Sequence, residues 1–164
     1  MPRRSFGGKE LPNHASRCVH TCPSLLIGII HAYQSNMDCK KRILVVEDNA
    51  ESRELLAIIL RRSGYDIAEA ATGLDAVDQA HASRPDLIIM DLGLPGITGD
   101  VVTTRLKADA STRDIPVIVN TGFHRGSLLV ERAIVAGASM ILHKPTPLKV
   151  FVEVARRYLS PEYM

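Results

Sequence analysis

The sequence predicts an α/β protein in which helices cover a parallel β-sheet. From residue 41 onwards, short aliphatic and β-branched runs alternate with longer stretches of helical periodicity, as in a series of βα units. The first run is continuously apolar, which is typical of a strand buried on both faces of a parallel sheet. A chain of 164 residues that is 46% hydrophobic and 23% charged is expected to fold around one core.

The first βα unit begins with a predicted strand over residues 43–46. Ser52 is expected to cap the helix that follows, because a serine oxygen can accept from the free N–H groups of a first turn. Leucine and isoleucine recur in that helix at the i, i+3, i+4 spacing, and Gly64 is expected to end it.

The second unit has the weaker pattern. A strand over residues 66–70 leads into a helix over residues 74–83, whose inner side is expected to carry Val77, Ala80 and His81.

The third unit has the clearest strand. Residues 86–90 follow Pro85 and end in Asp91. The glycines and proline over residues 93–99 then predict an irregular loop, after which a helix runs to about residue 108.

Two further units complete the sheet. The fourth strand is predicted over residues 117–120 and its helix over about residues 127–136. The fifth strand is predicted over residues 140–143, and the last helix over about residues 148–159.

Chemically active side chains follow four of these strands. In a parallel sheet all carboxyl ends lie at one edge, so Glu47, Asp48, Asp91, Thr121 and Lys144 are expected to converge there. Crowded carboxylates repel one another unless a cation intervenes, and hard oxygen ligands suit Mg²⁺. A carboxylate beside a divalent cation, a lysine and a hydroxyl is equipped to accept a phosphoryl group.

Four short motifs carry a resemblance to a known family. They are Val45-Val46-Glu47-Asp48-Asn49, Met90-Asp91-Leu92-Gly93-Leu94-Pro95-Gly96 with Gly99, Thr121, and Lys144-Pro145. In this order and spacing they resemble the receiver domains of bacterial two-component response regulators, particularly the single-domain, chemotaxis-regulator-like members. The resemblance implies a flavodoxin-like, doubly wound sheet of five strands in the order 2-1-3-4-5 with five helices.

The resemblance also implies a role for each acidic residue. Asp91 corresponds to the aspartate that takes a phosphoryl group from the phosphohistidine of a sensor histidine kinase or a histidine phosphotransfer protein. Asp48 would bind Mg²⁺ directly, Glu47 directly or through water, and Asp91 and the backbone carbonyl of Gly93 would complete the protein ligands.

The remaining site residues would act on the phosphoryl group. Thr121 would move toward it and donate its hydroxyl, and Lys144 would pair with one of its oxygens. The Lys144–Pro145 bond is expected to be cis. Such a protein is not an enzyme in the ordinary sense, since it catalyses only its own phosphorylation and dephosphorylation.

The sequence departs from the family at the switch. Ile141 stands where the family usually has an aromatic residue that swings inward, and its branched carbon restricts its rotamers. Gly122 follows Thr121 where many members have alanine. We therefore expect a switch that is weaker, or one carried by backbone shifts over residues 122–126.

Two further side chains are predicted near the site. Phe123 lies two residues after Thr121, where a bulky ring can shield an acyl phosphate from water; it can equally pack beside the loop. His143 precedes Lys144 and is either a partner-contacting or pH-responsive group, or an exposed residue at a strand end.

Charge and cysteine content limit the partners and the compartment. Residues 41–164 hold fifteen basic and sixteen acidic residues, so this part lacks the cationic excess of a nucleic-acid binder. All three cysteines, Cys18, Cys22 and Cys39, precede it, which favours a cytoplasmic protein over a secreted disulfide scaffold. The apolar run over residues 25–30 is too short to span a membrane.

The first 40 residues are predicted to be an extension to a receiver domain over residues 41–164. They are interpreted as disordered, as a docking segment, or as lying upstream of a natural start at Met37. A zinc site formed by His14, Cys18, His20 and Cys22 is disfavoured because their spacing matches no standard finger.

Several functions stay open from sequence. With five residues after the last helix, no output domain is expected, so the signal would pass through a target protein. The alternatives are a shuttle that passes phosphate to a histidine phosphotransfer protein, and a non-phosphorylated binding module; a homodimer is possible. A haloacid-dehalogenase-like phosphatase would need a second acid where Gly93 stands.

Overall fold

The computed structural model describes residues 40–160; the predicted extension, apart from residue 40, lies outside the described residues. Five strands and five helices alternate along the described part. The strands are β1 (Arg42–Val46), β2 (Asp66–Ala70), β3 (Leu87–Met90), β4 (Val117–Thr121) and β5 (Met140–His143). The helices are α1 (Ala50–Arg62), α2 (Gly73–Ser83), α3 (Gly99–Ala108), α4 (Leu128–Val135) and α5 (Leu148–Leu159).

All five strands are parallel and lie in the order β2-β1-β3-β4-β5, which confirms the predicted topology. Val46, at the end of β1, pairs with Ala70 on one side and Met90 on the other. The chain order therefore reverses between β1 and β3. In open α/β sheets the crevice at the carboxyl side of this reversal is where ligands bind.

Alternate residues of β1 face two layers of helices. Ile43 and Val45 pack with apolar residues of α1 and α5, whereas Leu44 and Val46 pack with those of α2 and α3. All four side chains are buried. The continuously apolar pattern of this strand thus reflects burial on both faces, as predicted, and each such side chain contributes roughly 1.5–3 kcal/mol to folding.

A smaller apolar cluster lies under α4. Leu92, from the loop after β3, packs there with Val119 of β4 and with Val130 and Ala133 of the helix. This cluster joins the loop that follows Asp91 to the α4 side of the sheet.

The predicted cap of α1 was wrong by one turn. The helix begins at Ala50, and the side-chain oxygen of Asn49 accepts a hydrogen bond from the Ser52 backbone N–H at 2.8 Å. Ser52 is therefore the residue whose N–H is capped. The predicted end is confirmed, because Gly64 has a positive φ of 97° just after the helix.

The predicted inner face of α2 was also wrong at one position. Ala76 and Ala80 are buried and Val77 is partly buried, but the side chain of His81 is 43% exposed. The helix begins one residue earlier than predicted, at Gly73, with the Thr72 hydroxyl accepting from the Asp75 N–H. Because α2 packs through its alanines, the imidazole lies at its border with solvent.

The other elements agree with the prediction to within a residue at each end. β3 begins at Leu87, and the side chain of Asp86 just before it accepts a hydrogen bond from the Arg42 N–H. β4 extends to Thr121, which pairs with His143 of β5.

Candidate functional site

Three carboxylates meet at the carboxyl edge of the sheet. Glu47 and Asp48 directly follow β1, and Asp91 directly follows the neighbouring β3. One oxygen from each carboxylate lies within 4.8 Å of the others. Glu47 and Asp91 are buried and Asp48 is exposed, so the cluster opens to solvent on the Asp48 side.

Lys144 joins two of these carboxylates. It follows β5, and its Nζ donates to Asp91 Oδ2 at 2.6 Å and to Glu47 Oε2 at 2.7 Å. Burial alone would lower the pKa of Lys144, but the hydrogen bonds to Asp91 and Glu47 and the charges of both carboxylates outweigh it and raise the pKa. The lysine is therefore held in its charged form.

Glu47 is in an unfavourable position for a charged group. Burial raises the pKa of its carboxyl, and the neighbouring charges of Asp91 and Asp48 raise it further, although Lys144 opposes the change. One lysine thus only partly compensates three acids.

The second oxygen of Asp91 is bound by the chain itself. The backbone N–H of Gly93 donates to Asp91 Oδ1 at 3.1 Å. Gly93 is exposed, and a β-carbon placed on it would lie 3.8 Å from the ring of Phe123 and 3.9 Å from Asp91 Oδ1. The ring of Phe123 therefore lies at the rim of the site, where it is 39% exposed.

Thr121 is fully buried at the end of β4. Its hydroxyl oxygen accepts from the backbone N–H of Phe123 at 3.2 Å, and its carbonyl accepts from the backbone N–H of Lys144. Within residues 40–160 no hydrogen bond joins Thr121 to Asp91. The structure thus gathers Glu47, Asp48, Asp91 and Lys144 and leaves the Thr121 hydroxyl bonded to its own loop.

Ile141 and Pro145 flank the site. Ile141 is partly buried and packs against the cluster that contains Leu92 and Val119. The Lys144–Pro145 peptide bond is cis, and Pro145 is exposed.

Arg53 is a site residue that sequence reasoning missed. From the first turns of α1 it donates to the carbonyl oxygen of Glu47 at 2.7 Å, and it lies 3.6 Å from the carboxylate of Glu69 on β2. This arginine holds the turn that presents the two acids after β1. The signal available in the sequence was a basic residue six positions after Glu47.

Thr146 and His143 brace the segment around Lys144. The Thr146 hydroxyl lies 2.8 Å from the side-chain oxygen of Asn120 and 3.0 Å from the carbonyl of His143. Nδ1 of His143 lies 2.9 Å from the carbonyl oxygen of Phe123, where it donates. Sequence reasoning placed His143 near the site but assigned no contact to it, and Thr146 was overlooked.

The donor set fits a divalent cation. Two buried carboxylates and one exposed carboxylate supply hard oxygen ligands, the kind that Mg²⁺ prefers, and Lys144 leaves the cluster with an excess of negative charge. Among residues 40–160, this is the one group of three or more acidic, histidine or cysteine side chains arranged to hold a metal ion.

No helix in the described part of the chain is long and apolar enough to cross a membrane.

A doubly wound parallel sheet with this acidic crevice defines a flavodoxin-like α/β domain of the signal-receiver type. The family described as the response regulator receiver domain matches residues 43–156. The chain belongs to this family, as its motifs indicated.

Relatives and solved structures agree with this assignment. The polar-differentiation response regulators DivK of Brucella anthropi and Brucella ovis are each 38% identical to the chain over 121 residues, which covers 73% of this chain and 97% of theirs. The chemotaxis response regulator CheY4 of Vibrio cholerae shares the fold, with a TM-score of 0.68 at 24% identity over 73% of this chain and 99% of its own.

A third comparison bears on the metal. The receiver domain of the sensor histidine kinase PA1611 from Pseudomonas aeruginosa superposes with a TM-score of 0.67 at 30% identity, covering 73% of this chain and 98% of its own. That structure has a magnesium ion coordinated in the active site cleft.

Proposed function

We propose that Asp91 accepts a phosphoryl group, in a Mg²⁺-dependent reaction, from the phosphohistidine of a sensor histidine kinase or a histidine phosphotransfer protein. The observation that carries the proposal is the position of Asp91: its carboxylate is bound by Lys144 at 2.6 Å, and one of its oxygens lies within 4.8 Å of oxygens of Glu47 and Asp48. The family membership and the DivK relatives support the same role.

The transfer proceeds by attack of an Asp91 oxygen on the phosphorus atom. The new O–P bond forms as the P–N bond to the donor imidazole breaks, and the departing nitrogen keeps the bonding pair. The product is an acyl phosphate on Asp91. Lys144, which donates to Asp91 Oδ2 before the reaction, can donate to a phosphoryl oxygen after it and so stabilise the charge that moves there. The Gly93 N–H donates to the other oxygen of Asp91.

Glu47, Asp48, Asp91 and the Gly93 carbonyl would hold the metal ion. When bound, Mg²⁺ supplies positive charge that offsets the charge of the transferring oxygens. The exposed side of the cluster, at Asp48, leaves room for the incoming phosphoryl group.

The switch that follows phosphorylation is assigned to the loop over residues 122–126. The Thr121 hydroxyl accepts from the Phe123 N–H and keeps its own hydrogen for donation to a phosphoryl oxygen, so movement of Thr121 toward that oxygen would pull on the loop. The Phe123 carbonyl in turn accepts from Nδ1 of His143. Ile141 is packed in a cluster and has no polar group to exchange. Beryllofluoride should therefore shift the amide resonances of this loop most strongly, and changes centred on Ile141 would contradict the assignment.

The signal would leave through protein contacts in the cytoplasm, from a receiver domain over residues 41–164 behind an extension over residues 1–40. The alternatives are a phosphorelay shuttle and a receiver-like binding module that is not phosphorylated. The domain is not proposed to bind nucleic acid or membranes directly.

Mass spectrometry of the natural N-terminus will show whether translation begins at Met37.

The function is tested by phosphotransfer from a panel of purified, labelled sensor kinases. One kinase should phosphorylate the wild type much faster than the others, and the Asp91→Ala variant should take up no label. Rapid return of the label to a histidine phosphotransfer protein would identify a shuttle. Equal labelling of wild type and Asp91→Ala would refute the role of Asp91.

A further inference from the structure

A groove of about 570 Å³ lies between α3 and α4. From α4 it is lined by Leu128, Glu131, Arg132 and Val135, whose i, i+3, i+4, i+7 spacing places them on one face of the helix. Asp100 and Val101 line it from the first turn of α3. None of these residues belongs to the acidic site described above.

The walls of the groove carry large apolar side chains that the domain leaves in solvent. Leu128 is 60% exposed and Val135 is 89% exposed, and Val101 opposite them is also exposed. Apolar side chains clustered in one concave surface mark a site of protein association more often than isolated ones do. Between helices of ten and eight residues, such a groove is roughly 12–15 Å long, which matches two to three turns of a helix.

A buried carboxylate lies at the same groove. Asp100 is only 3% exposed, and its Oδ1 is the one buried side-chain oxygen or nitrogen between residues 40 and 160 that has no hydrogen-bond partner. Buried polar groups are nearly always paired, so an unpaired carboxylate oxygen calls for a missing donor. The terminal torsion of aspartate has a broad, two-fold preference, so rotation about it exchanges the positions of the two oxygens at little cost.

We propose that this groove binds an amphipathic helix of a partner protein that inserts an apolar side chain between Leu128 and Val101 and a lysine or arginine toward Asp100. Charge complementarity selects this occupant. Asp100 and Glu131 give the lining an excess of acid over the single Arg132, and among residues 40–160 neither Glu131 nor Arg132 forms an ion pair. The long apolar stem of a basic side chain also suits a groove that combines exposed apolar walls with a buried carboxylate.

The groove has one internal candidate for the missing donor. Arg132 lines the same groove as Asp100, and a change of its rotamer is the route by which the two could pair. Such a pair would close the groove without a partner, so the test must separate the two cases. The partner helix is proposed to bind the unphosphorylated domain, so the result of the test does not depend on phosphoryl chemistry at Asp91.

The probe is a library of synthetic helical peptides with randomised surface positions, selected on the wild-type domain and counter-selected on Leu128→Glu. Retained peptides should carry a leucine, methionine or phenylalanine and, within one turn, a lysine or arginine. The matched control is Leu74→Glu on α2, because Leu74 is 59% exposed and lies outside the groove. This variant should bind the selected peptide like the wild type.

Asp100→Asn, which keeps the shape of the side chain, should weaken the selected peptide about tenfold, the loss of one charge-assisted hydrogen bond. Replacing the basic residue of the peptide by glutamine should have the same effect on the wild type and little on Asp100→Asn. The proposal is overturned if no peptide depends on Leu128, or if Asp100→Asn binds unchanged. If a double-mutant cycle in the free domain couples Asp100 to Arg132, the two residues pair there, and Arg132→Gln should then free Asp100 and strengthen peptide binding. Unchanged peptide binding by Arg132→Gln in that case would also overturn the proposal.

Discussion

A single ammonium group, that of Lys144, contacts both buried carboxylates at the edge of the sheet. Removing one partner of such a group leaves an uncompensated buried charge, which costs more than the contact itself contributes. Lys144, Glu47 and Asp91 are therefore interdependent: loss of either carboxylate leaves Lys144 with one of these two partners, and loss of Lys144 removes the cation from both carboxylates.

Phe123 is predicted to slow hydrolysis of the phosphorylated form. Its ring lies at the rim of the site beside Gly93, the residue whose N–H donates to Asp91, where it can exclude water from the acyl phosphate. The Phe123→Ala variant should lose phosphate faster by about tenfold, measured as the decay of labelled protein after removal of the donor. His124→Ala, an exposed neighbour, serves as the control, and equal lifetimes for wild type and Phe123→Ala would contradict the prediction.

His81 is predicted to make stability depend on pH. Its hydrogen bond to the Val77 carbonyl, and then its contact with Asp109 at 3.3 Å, raise the pKa of the imidazole; the Asp109 carboxyl, with a pKa of about 2 set mainly by Ser111, stays charged. A raised histidine pKa stabilises the fold at low pH, and this contribution disappears as pH rises through the folded-state pKa.

The comparison with His81→Gln tests this effect. Between about pH 6 and pH 8, the free energy of unfolding of the wild type should fall relative to that of the variant, measured by chemical denaturation at each pH. The change should be small because the pair is exposed. Parallel pH profiles would show that the contact has no influence on stability.

At the scale of elements, the start of α3 is built around the loop that carries Asp91. Gly99 is the first residue of this helix, and a β-carbon on it would collide with the backbone carbonyl oxygen of Asp91 and come within 3.0 Å of the Cα of Leu92. The backbone N–H of Gly99 also donates to the Leu92 carbonyl. The glycine is thus required by close approach of two backbone segments.

Gly99→Ala should therefore destabilise the domain by about 1–3 kcal/mol and reduce phosphorylation, because the loop must move to admit the methyl group. Gly122→Ala is the matched control, since a β-carbon there has no neighbour within 4 Å. Urea denaturation of both variants measures the difference. If the two alanines cost the same, the close approach at Gly99 does not constrain the loop.

The strands and the acids at their ends could be predicted from sequence because both depend on local pattern. Continuous apolar runs identify β1 and β3, and parallel topology then brings their carboxyl ends together. The contacts of Arg53 and Thr146 could not be predicted, since they depend on how a helix and a loop lie across the sheet. The cap of α1 was missed because serine and asparagine are both good N-caps, and only the structure shows that the helix begins just after Asn49 and not after Ser52.

At the scale of the whole molecule, the proposed binding of Mg²⁺ by the acidic cluster would link folding to the metal. Mg²⁺ bound only by the folded state stabilises it by mass action, by about 2.7 kcal/mol at a free concentration one hundred times the dissociation constant. Addition of Mg²⁺ should raise the melting temperature, and chelation should reverse the change. Sodium chloride of equal ionic strength should not reproduce it.

Asp48→Asn should remove most of this stabilisation, whereas Asp114→Asn should retain it. Asp114 is a suitable control because it is highly exposed and lies outside the acidic cluster. If both variants respond to Mg²⁺ like the wild type, the ion is not bound by the carboxylates that follow β1.

The most direct test of the central claim is intact-mass and peptide mass spectrometry after incubation with acetyl phosphate. With Mg²⁺ present, the wild type should gain the mass of one phosphoryl group on the peptide that contains Asp91; Asp91→Asn should gain none, and chelation of the metal should abolish the reaction. A phosphoryl group on another residue, or equal modification of Asp91→Asn, would contradict the assignment of Asp91 as the phosphoacceptor.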